Sequence, residues 1–122
     1  MSGSVRVLVV EDQPLIAMDL EDLLVSRGYA VLGPKATVAE ALDCLARVTP
    51  EAALLDIDLA GETSFAVASE LGRRGVPFVF ATGTAGADAR IPDDLLDTPV
   101  IQKPWNVDDV LSFLREHALP DR

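Results

Sequence analysis

The stretch Val7-Leu8-Val9-Val10-Glu11-Asp12-Gln13-Pro14 decides how this chain folds. Four apolar, mostly β-branched residues without polar alternation read as a strand covered on both faces, the pattern of a parallel sheet. Two adjacent acids end the run. Pro14 then suits the first turn of a helix, where its missing N–H is harmless. Ile16, Leu20, Leu23 and Leu24 recur at helical spacing until Gly28 provides a stop.

Downstream, the alternation of strand and helix continues. The first strand is read as Val5–Val10 and the second as Tyr29–Gly33. Thr37-Val38-Ala39-Glu40 is a capping-box pattern that opens a helix with Val38, Ala41, Leu42 and Leu45 on one face, ending before Pro50. Ala52–Asp56 forms the third strand. Phe65, Ala68 and Leu71 mark the third helix, stopped by Gly75. Val76–Thr82 and Pro99–Gln102 are the fourth and fifth strands, and Asn106 caps a last helix bearing Val107, Val110, Leu111 and Leu114. Helices between parallel strands form right-handed crossovers, so the natural solution is an α/β, flavodoxin-like, doubly wound five-stranded parallel sheet of order 2-1-3-4-5. The stretch Gly83–Thr98, with Gly83, Gly86 and Pro92, resists the scheme: only Asp93–Leu96 looks helical, and the fourth helix is expected to be short, displaced or mobile.

At 122 residues the chain is expected to be one domain, with a core from about Ser4 to Ala118 and no output domain. No apolar run approaches the ~18 residues a spanning helix needs, and no signal-peptide pattern opens the chain, so the expected location is the cytoplasm. The net charge of −10 argues against direct nucleic-acid binding, which needs a basic surface. Cys44 is the only cysteine, which excludes an internal disulfide, and it reads as a small buried hydrophobe. His117 reads as a helix-end residue, and Arg73-Arg74 as a solvated pair.

The carboxyl ends of parallel strands form the ligand-binding edge of an open α/β sheet. Here that edge gathers Glu11 and Asp12, Asp56, Thr82 and Lys103, each directly after or at the end of a strand. Asp56 can accept a phosphoryl group to make an acyl phosphate. Charge is the obstacle, because two like charges ~4 Å apart repel by about 4 kcal/mol at an effective dielectric of ~20. A Mg2+ ion, with Mn2+ as an alternative, resolves the conflict: it prefers oxygen ligands, one or two of them carboxylates. Asp12 and Asp56 are the direct candidates, Glu11 a direct or water-mediated one, and the backbone carbonyl of Asp58 a further ligand. Lys103 and Thr82 would hold the remaining phosphoryl oxygens. Taken singly, Asp56 reads equally as a turn residue, Thr82 as a strand former and Lys103 as a surface charge. Their joint placement on four strand ends carries the functional reading.

The strings Val9-Val10-Glu11-Asp12, Leu54-Leu55-Asp56, Ala81-Thr82-Gly83 and Lys103-Pro104-Trp105 resemble those of the receiver domains of bacterial two-component response regulators, and the resemblance covers about Ser4 to Ala118. It implies that Asp56 is the phosphoacceptor, Glu11 and Asp12 the metal acids, and Thr82 and Lys103 the phosphoryl contacts, with a cis peptide often found between the Lys and Pro. Pro77-Phe78-Val79-Phe80-Ala81-Thr82-Gly83 is similar to the P-F-x-F-A-T-G-Y string of a group of single-domain receivers, many linked to stress-signalling phosphorelays. Two departures stand out. Val100 occupies the position of an aromatic switch in many receivers, and Thr84 the position of the subgroup's tyrosine. Signalling is therefore expected to run through Thr82 and segment 83–98.

The implied partners are a histidine kinase or histidine phosphotransferase, and a downstream protein target. Gln13, Leu15 and Met18 fall off the core-facing stripe of the first helix and, with Pro104 and Trp105, are candidates for partner docking; Trp105 reads as the more ordinary packing residue. Two roles within the family are open, a phosphoryl relay or sink and a phosphorylation-gated binding module. Turnover beyond self-phosphorylation and slow dephosphorylation is not expected. Asp56-Ile57-Asp58 is also similar to the D-x-D of haloacid-dehalogenase-type phosphatases, but there it ends a first strand, not a third. A flavin protein of this architecture would need a hydroxyl- and glycine-rich loop where Glu11-Asp12-Gln13-Pro14 stands.

Overall fold

The structure is a computed structural model that describes residues 5–83 and 90–118. The elements in chain order are β1 (Arg6–Val10), α1 (Pro14–Ser26), β2 (Ala30–Lys35), α2 (Val38–Leu45), β3 (Ala52–Asp56), β4 (Asp58–Leu59), β5 (Glu62–Thr63), α3 (Phe65–Arg73), β6 (Phe78–Thr82), β7 (Val100–Gln102) and α4 (Val107–His117). The main sheet has the order β2-β1-β3-β6-β7 and is parallel throughout, so the expected flavodoxin-like 2-1-3-4-5 topology is present, with β6 and β7 as its fourth and fifth strands.

Side chains of a strand alternate between faces, and each face of this sheet carries its own core. Leu8, Val10, Ala53, Leu55 and Phe80 pack against α2 and α3, while Val7, Val9, Leu54, Val79 and Ile101 pack against α1 and α4. Burying a Leu such as Leu54 or Leu55 contributes about 1.5–3 kcal/mol, and both are fully enclosed. Cys44 is half-buried against the first of these clusters.

Local signals set the helix ends. Thr37 Oγ1 accepts from the Glu40 N–H at 3.1 Å, and Glu40 Oε1 accepts from the Ala36 N–H at 3.1 Å. Asn106 Oδ1 accepts from the Asp109 N–H at 3.0 Å. Pro14 is the first residue of α1, as its missing donor allows.

Three features differ from the sequence reading. β2 runs to Lys35 instead of stopping at Gly33, because it is an edge strand and tolerates Pro34 there. The Gly33–Pro34 peptide is cis, Gly33 has φ +98°, and a Cβ there would lie 2.7 Å from the Lys35 nitrogen. Second, a short antiparallel hairpin, β4–β5, follows β3, with Gly61 at φ +82° in its turn and Glu62 Oε2 accepting from the Val38 N–H at 3.1 Å. Two-residue strands are too short for periodicity to reveal. Third, where the fourth helix was expected the described residues hold no α-helix, only 3-10 structure, at Arg90 and at Asp93–Leu95. Within that stretch, 84–89 with Thr84 and Gly86 lie outside the described residues, as does Ser4.

The two arginines at the end of α3 are not equivalent. Both pair with Glu70, whose half-buried carboxyl is held down to about 2 by hydrogen bonds from Arg73 and then Arg74. Only Arg74 also reaches across to α2, donating to the Leu45 carbonyl at 2.7 Å and to Thr49 Oγ1 at 3.0 Å. Chemical denaturation should therefore separate them. Arg74→Ala is expected to lose about 1–2 kcal/mol, the worth of partly buried charge-assisted hydrogen bonds, and Arg73→Ala, a solvated surface change, to leave the unfolding midpoint essentially where it is.

Candidate functional site

Strand register builds the site. Val10 is level with Leu55, so Glu11 and Asp56 come next on adjacent strands. Asp56 is level with Ala81, which puts Thr82 one step further, and Thr82 is level with Gln102, which puts Lys103 one step beyond that. Five residues from four separate stretches of sequence thus share one edge. Glu11, Asp12 and Asp56 each offer a carboxylate oxygen within 4.8 Å of the others. Asp12 and Asp56 line an open cleft of about 670 Å³, together with Asp58, Arg90 and Lys103, while Glu11 lies enclosed behind them.

A single ammonium organises these acids. Lys103 Nζ lies 3.0 Å from Asp56 Oδ2 and 3.1 Å from Glu11 Oε1. Its backbone N–H donates to the Thr82 carbonyl at 2.7 Å, and the Lys103–Pro104 peptide is cis. Backbone donors share the remaining load: Asp58 N–H to Asp56 Oδ1 at 3.2 Å, Gln13 N–H to Glu11 Oε2 at 3.2 Å, and Ala60 N–H to Asp12 Oδ2 at 3.0 Å. Glu11, Asp56 and Thr82 are buried, whereas Asp12 is half-buried.

Burial pushes the Asp56 carboxyl up to about 6; the charge of Glu11 adds to the rise, and the hydrogen bond from Lys103 opposes it. For Lys103, burial acts to lower the pKa, but Asp56 and Glu11 together hold it above its ordinary value, so the lysine stays charged. Burial, with the charge of Glu11 added to it, thus outweighs the lysine and backbone donors and leaves Asp56 reluctant to ionise.

All five residues expected at the site meet there. Asp58 lines the cleft, but its side chain turns to Arg90, whose Nη2 donates to both carboxylate oxygens at 3.0 and 3.2 Å. Arg90 escaped the sequence reading because it sits in an irregular stretch without periodicity. So did the role of Ala60 in the β4–β5 turn. Trp105 is more than a packing residue: its Nε1–H donates to Glu11 Oε1 at 3.1 Å, the oxygen that Lys103 also holds. On the neighbouring surface, Leu15 and Met18 are 77% and 57% exposed, as their position off the core stripe implies. Gln13 and Pro104 are also exposed. Val100 is exposed on β7, and no aromatic stands in its place.

A doubly wound sheet with clustered acids and one lysine on its carboxyl edge defines a receiver-type signalling domain. SdrG from Sphingomonas melonis superposes with a TM-score of 0.73 at 41% identity, over 98% of this chain and 100% of that one. The receiver domain of the PhyR response regulator from Erythrobacter litoralis gives a TM-score of 0.74 at 33% identity, over 98% and 97% of the two chains. Among curated relatives, the transcriptional regulatory protein PdtaR of Mycobacterium tuberculosis is 28% identical over 108 residues, which cover 87% of this chain. The chain spans about half the length of that relative, 53%. No family model matches the chain. The chain belongs to the response regulator receiver domains of two-component signalling. No helix among the described residues is long and apolar enough to cross a membrane.

The raised pKa has a consequence for stability. The folded protein keeps the Asp56 proton to about pH 6, whereas the unfolded chain releases it near 3.8, so between these values the folded state binds more protons and stability falls as pH rises. In thermal melts without divalent cation, Asp56→Asn should therefore melt above the wild type at neutral pH. The gain should shrink through this window and vanish at pH below about 4. A variant that melts lower at neutral pH, or a gain independent of pH, contradicts the assignment.

Proposed function

We propose that this receiver accepts a phosphoryl group on Asp56 from the phosphohistidine of a kinase or phosphotransferase in the cytoplasm, with Mg2+ bound, and serves as a relay intermediate or phosphate sink. The observation that carries this reading is the bridging of Asp56 and Glu11 by Lys103 beside an acid cluster at the mouth of a cleft.

The donor set fits a hard divalent cation: its candidate ligands are oxygens, three of them carboxylate, with mutual spacing short enough for one ion. Asp12 and Asp56 would hold the ion directly, with Glu11 direct or through water and the Asp58 carbonyl as a further ligand. Mg2+, or Mn2+ in its place, supplies charge neutralisation and an anchor for phosphoryl oxygens. Asp56 Oδ attacks the phosphorus as the P–N bond to the donor imidazole breaks, and the leaving imidazole takes up a proton. Lys103 and the Thr82 hydroxyl stabilise the equatorial oxygens of the group in transfer. The catalysis is confined to the protein's own phosphorylation and slow dephosphorylation.

The exposed Leu15 and Met18, with Gln13, Pro104 and Trp105, form the docking surface for the phosphohistidine partner. They lie beside the cleft, so a partner helix seated on them would bring its histidine within reach of Asp56. The same surface supports a second reading, a binding module whose affinity for a downstream protein target is gated by phosphorylation. Asp58 paired with Arg90 speaks against an acid catalyst of the dehalogenase type.

Incubation with a small phosphodonor and intact-mass measurement tests the reading. One phosphoryl group should add to the wild type with Mg2+, and none without Mg2+ or in Asp56→Asn. Leu15→Asp with Met18→Asp should leave that reaction unchanged and slow transfer to and from a histidine phosphotransferase about tenfold or more, as removal of a docking hot spot would. Phosphorylation that only alters partner affinity, without transfer, favours the binding module.

A further inference from the structure

We propose that Trp105 is a positioning residue for Glu11, and that it couples divalent-cation binding in the cleft to the apolar groove between α1 and α4. The inference rests on the cation site described above. The Glu11 side chain is fully enclosed, and a buried carboxylate needs donors on both oxygens. Its Oε2 takes the Gln13 N–H. Its Oε1 takes two donors, the Lys103 ammonium at 3.1 Å and the Trp105 indole N–H at 3.1 Å.

These two donors differ in what else they can do. Lys103 also holds Asp56 and faces the cleft. Trp105 packs with its ring against the core cluster under α1 and α4 and forms one wall of a groove of about 170 Å³, together with Ile16, Leu20, Leu23 and Val110. The indole therefore belongs to two places, with its N–H on a carboxylate of the acid cluster and its ring in the groove. A hydrogen bond to an ionised acceptor is among the stronger ones in a protein. A cation drawing on the charge of Glu11 competes with that bond, because electron density given to a metal is withdrawn from the indole. Loading the cluster should therefore loosen the N–H contact and alter the groove wall, beside exposed Leu15 and Met18. This gives the domain an aromatic in contact with the acid cluster, although Val100 on β7 is not one.

Trp105 is the only tryptophan in the chain, so its emission reports this contact alone. MgCl2 is titrated into the wild type and into Trp105→Phe, and binding is followed by calorimetry in both. In the wild type, Trp emission should change saturably, with the midpoint that calorimetry gives, and acrylamide quenching should increase. Asp12→Asn should abolish both changes. Trp105→Phe keeps the ring and deletes the donor, so it should bind Mg2+ about three- to tenfold more tightly, consistent with losing one competing hydrogen bond. Calorimetric binding with unchanged Trp emission and an equal affinity in Trp105→Phe would overturn the coupling while leaving the cation site intact. Absence of Mg2+ binding in the wild type would overturn both.

Discussion

The ammonium of Lys103, 3.0 Å from Asp56 and 3.1 Å from Glu11, is the contact on which the working edge of this domain depends. Parallel strands end together, and a receiver places acids where they end. Packed that closely in a half-buried cleft, carboxylates repel strongly enough to matter beside the 5–15 kcal/mol that typically holds a domain folded. The lysine offsets part of the repulsion and the backbone N–H groups of Gln13, Asp58 and Ala60 offset more. Burial, with the charge of Glu11 adding to it, still keeps Asp56 from ionising until about pH 6. On the proposed function, a divalent cation in the cleft would favour the charged form of Asp56 and offset the remaining repulsion.

The rest of the fold serves to hold that edge still. Each face of the sheet has its own apolar cluster, and the strand stagger between β1, β3, β6 and β7 sets the depth of each functional group. Around the edge, less regular pieces fix individual side chains. The β4–β5 turn gives Asp12 a donor, Arg90 turns Asp58 aside, and Trp105 holds Glu11 from beneath. These contacts connect the acid cluster to two surfaces at once, the hairpin on one side and the α1–α4 groove on the other.

The sheet order and the residues of the edge were legible in the sequence because both rest on local patterns. Val7–Val10, Ala52–Leu55 and Phe78–Ala81 are apolar runs with polar groups at their ends, and Thr37 with Glu40 marks a helix start that the structure keeps. What was not legible depended on contacts between distant residues. The hairpin at Asp58–Thr63 has no period to read. Trp105 meets Glu11 across 94 residues of chain, and nothing in Lys103-Pro104-Trp105 alone says where an indole N–H will point. Arg74 looked like half of a solvated pair, since its bonds to Leu45 and Thr49 exist only once α2 and α3 are packed. The edge position of β2 likewise explains Pro34 only after the strand order is known.

The central claim is that the carboxylates at this edge are crowded beyond what Lys103 can neutralise, and that a divalent cation relieves the excess. NMR titration of the side-chain carboxyl carbons, with and without Mg2+, measures this directly. The account predicts that Asp56 titrates near pH 6 in the metal-free protein and moves to distinctly lower pH when Mg2+ is present. An Asp56 that titrates in the ordinary carboxylate range and ignores Mg2+ would contradict it.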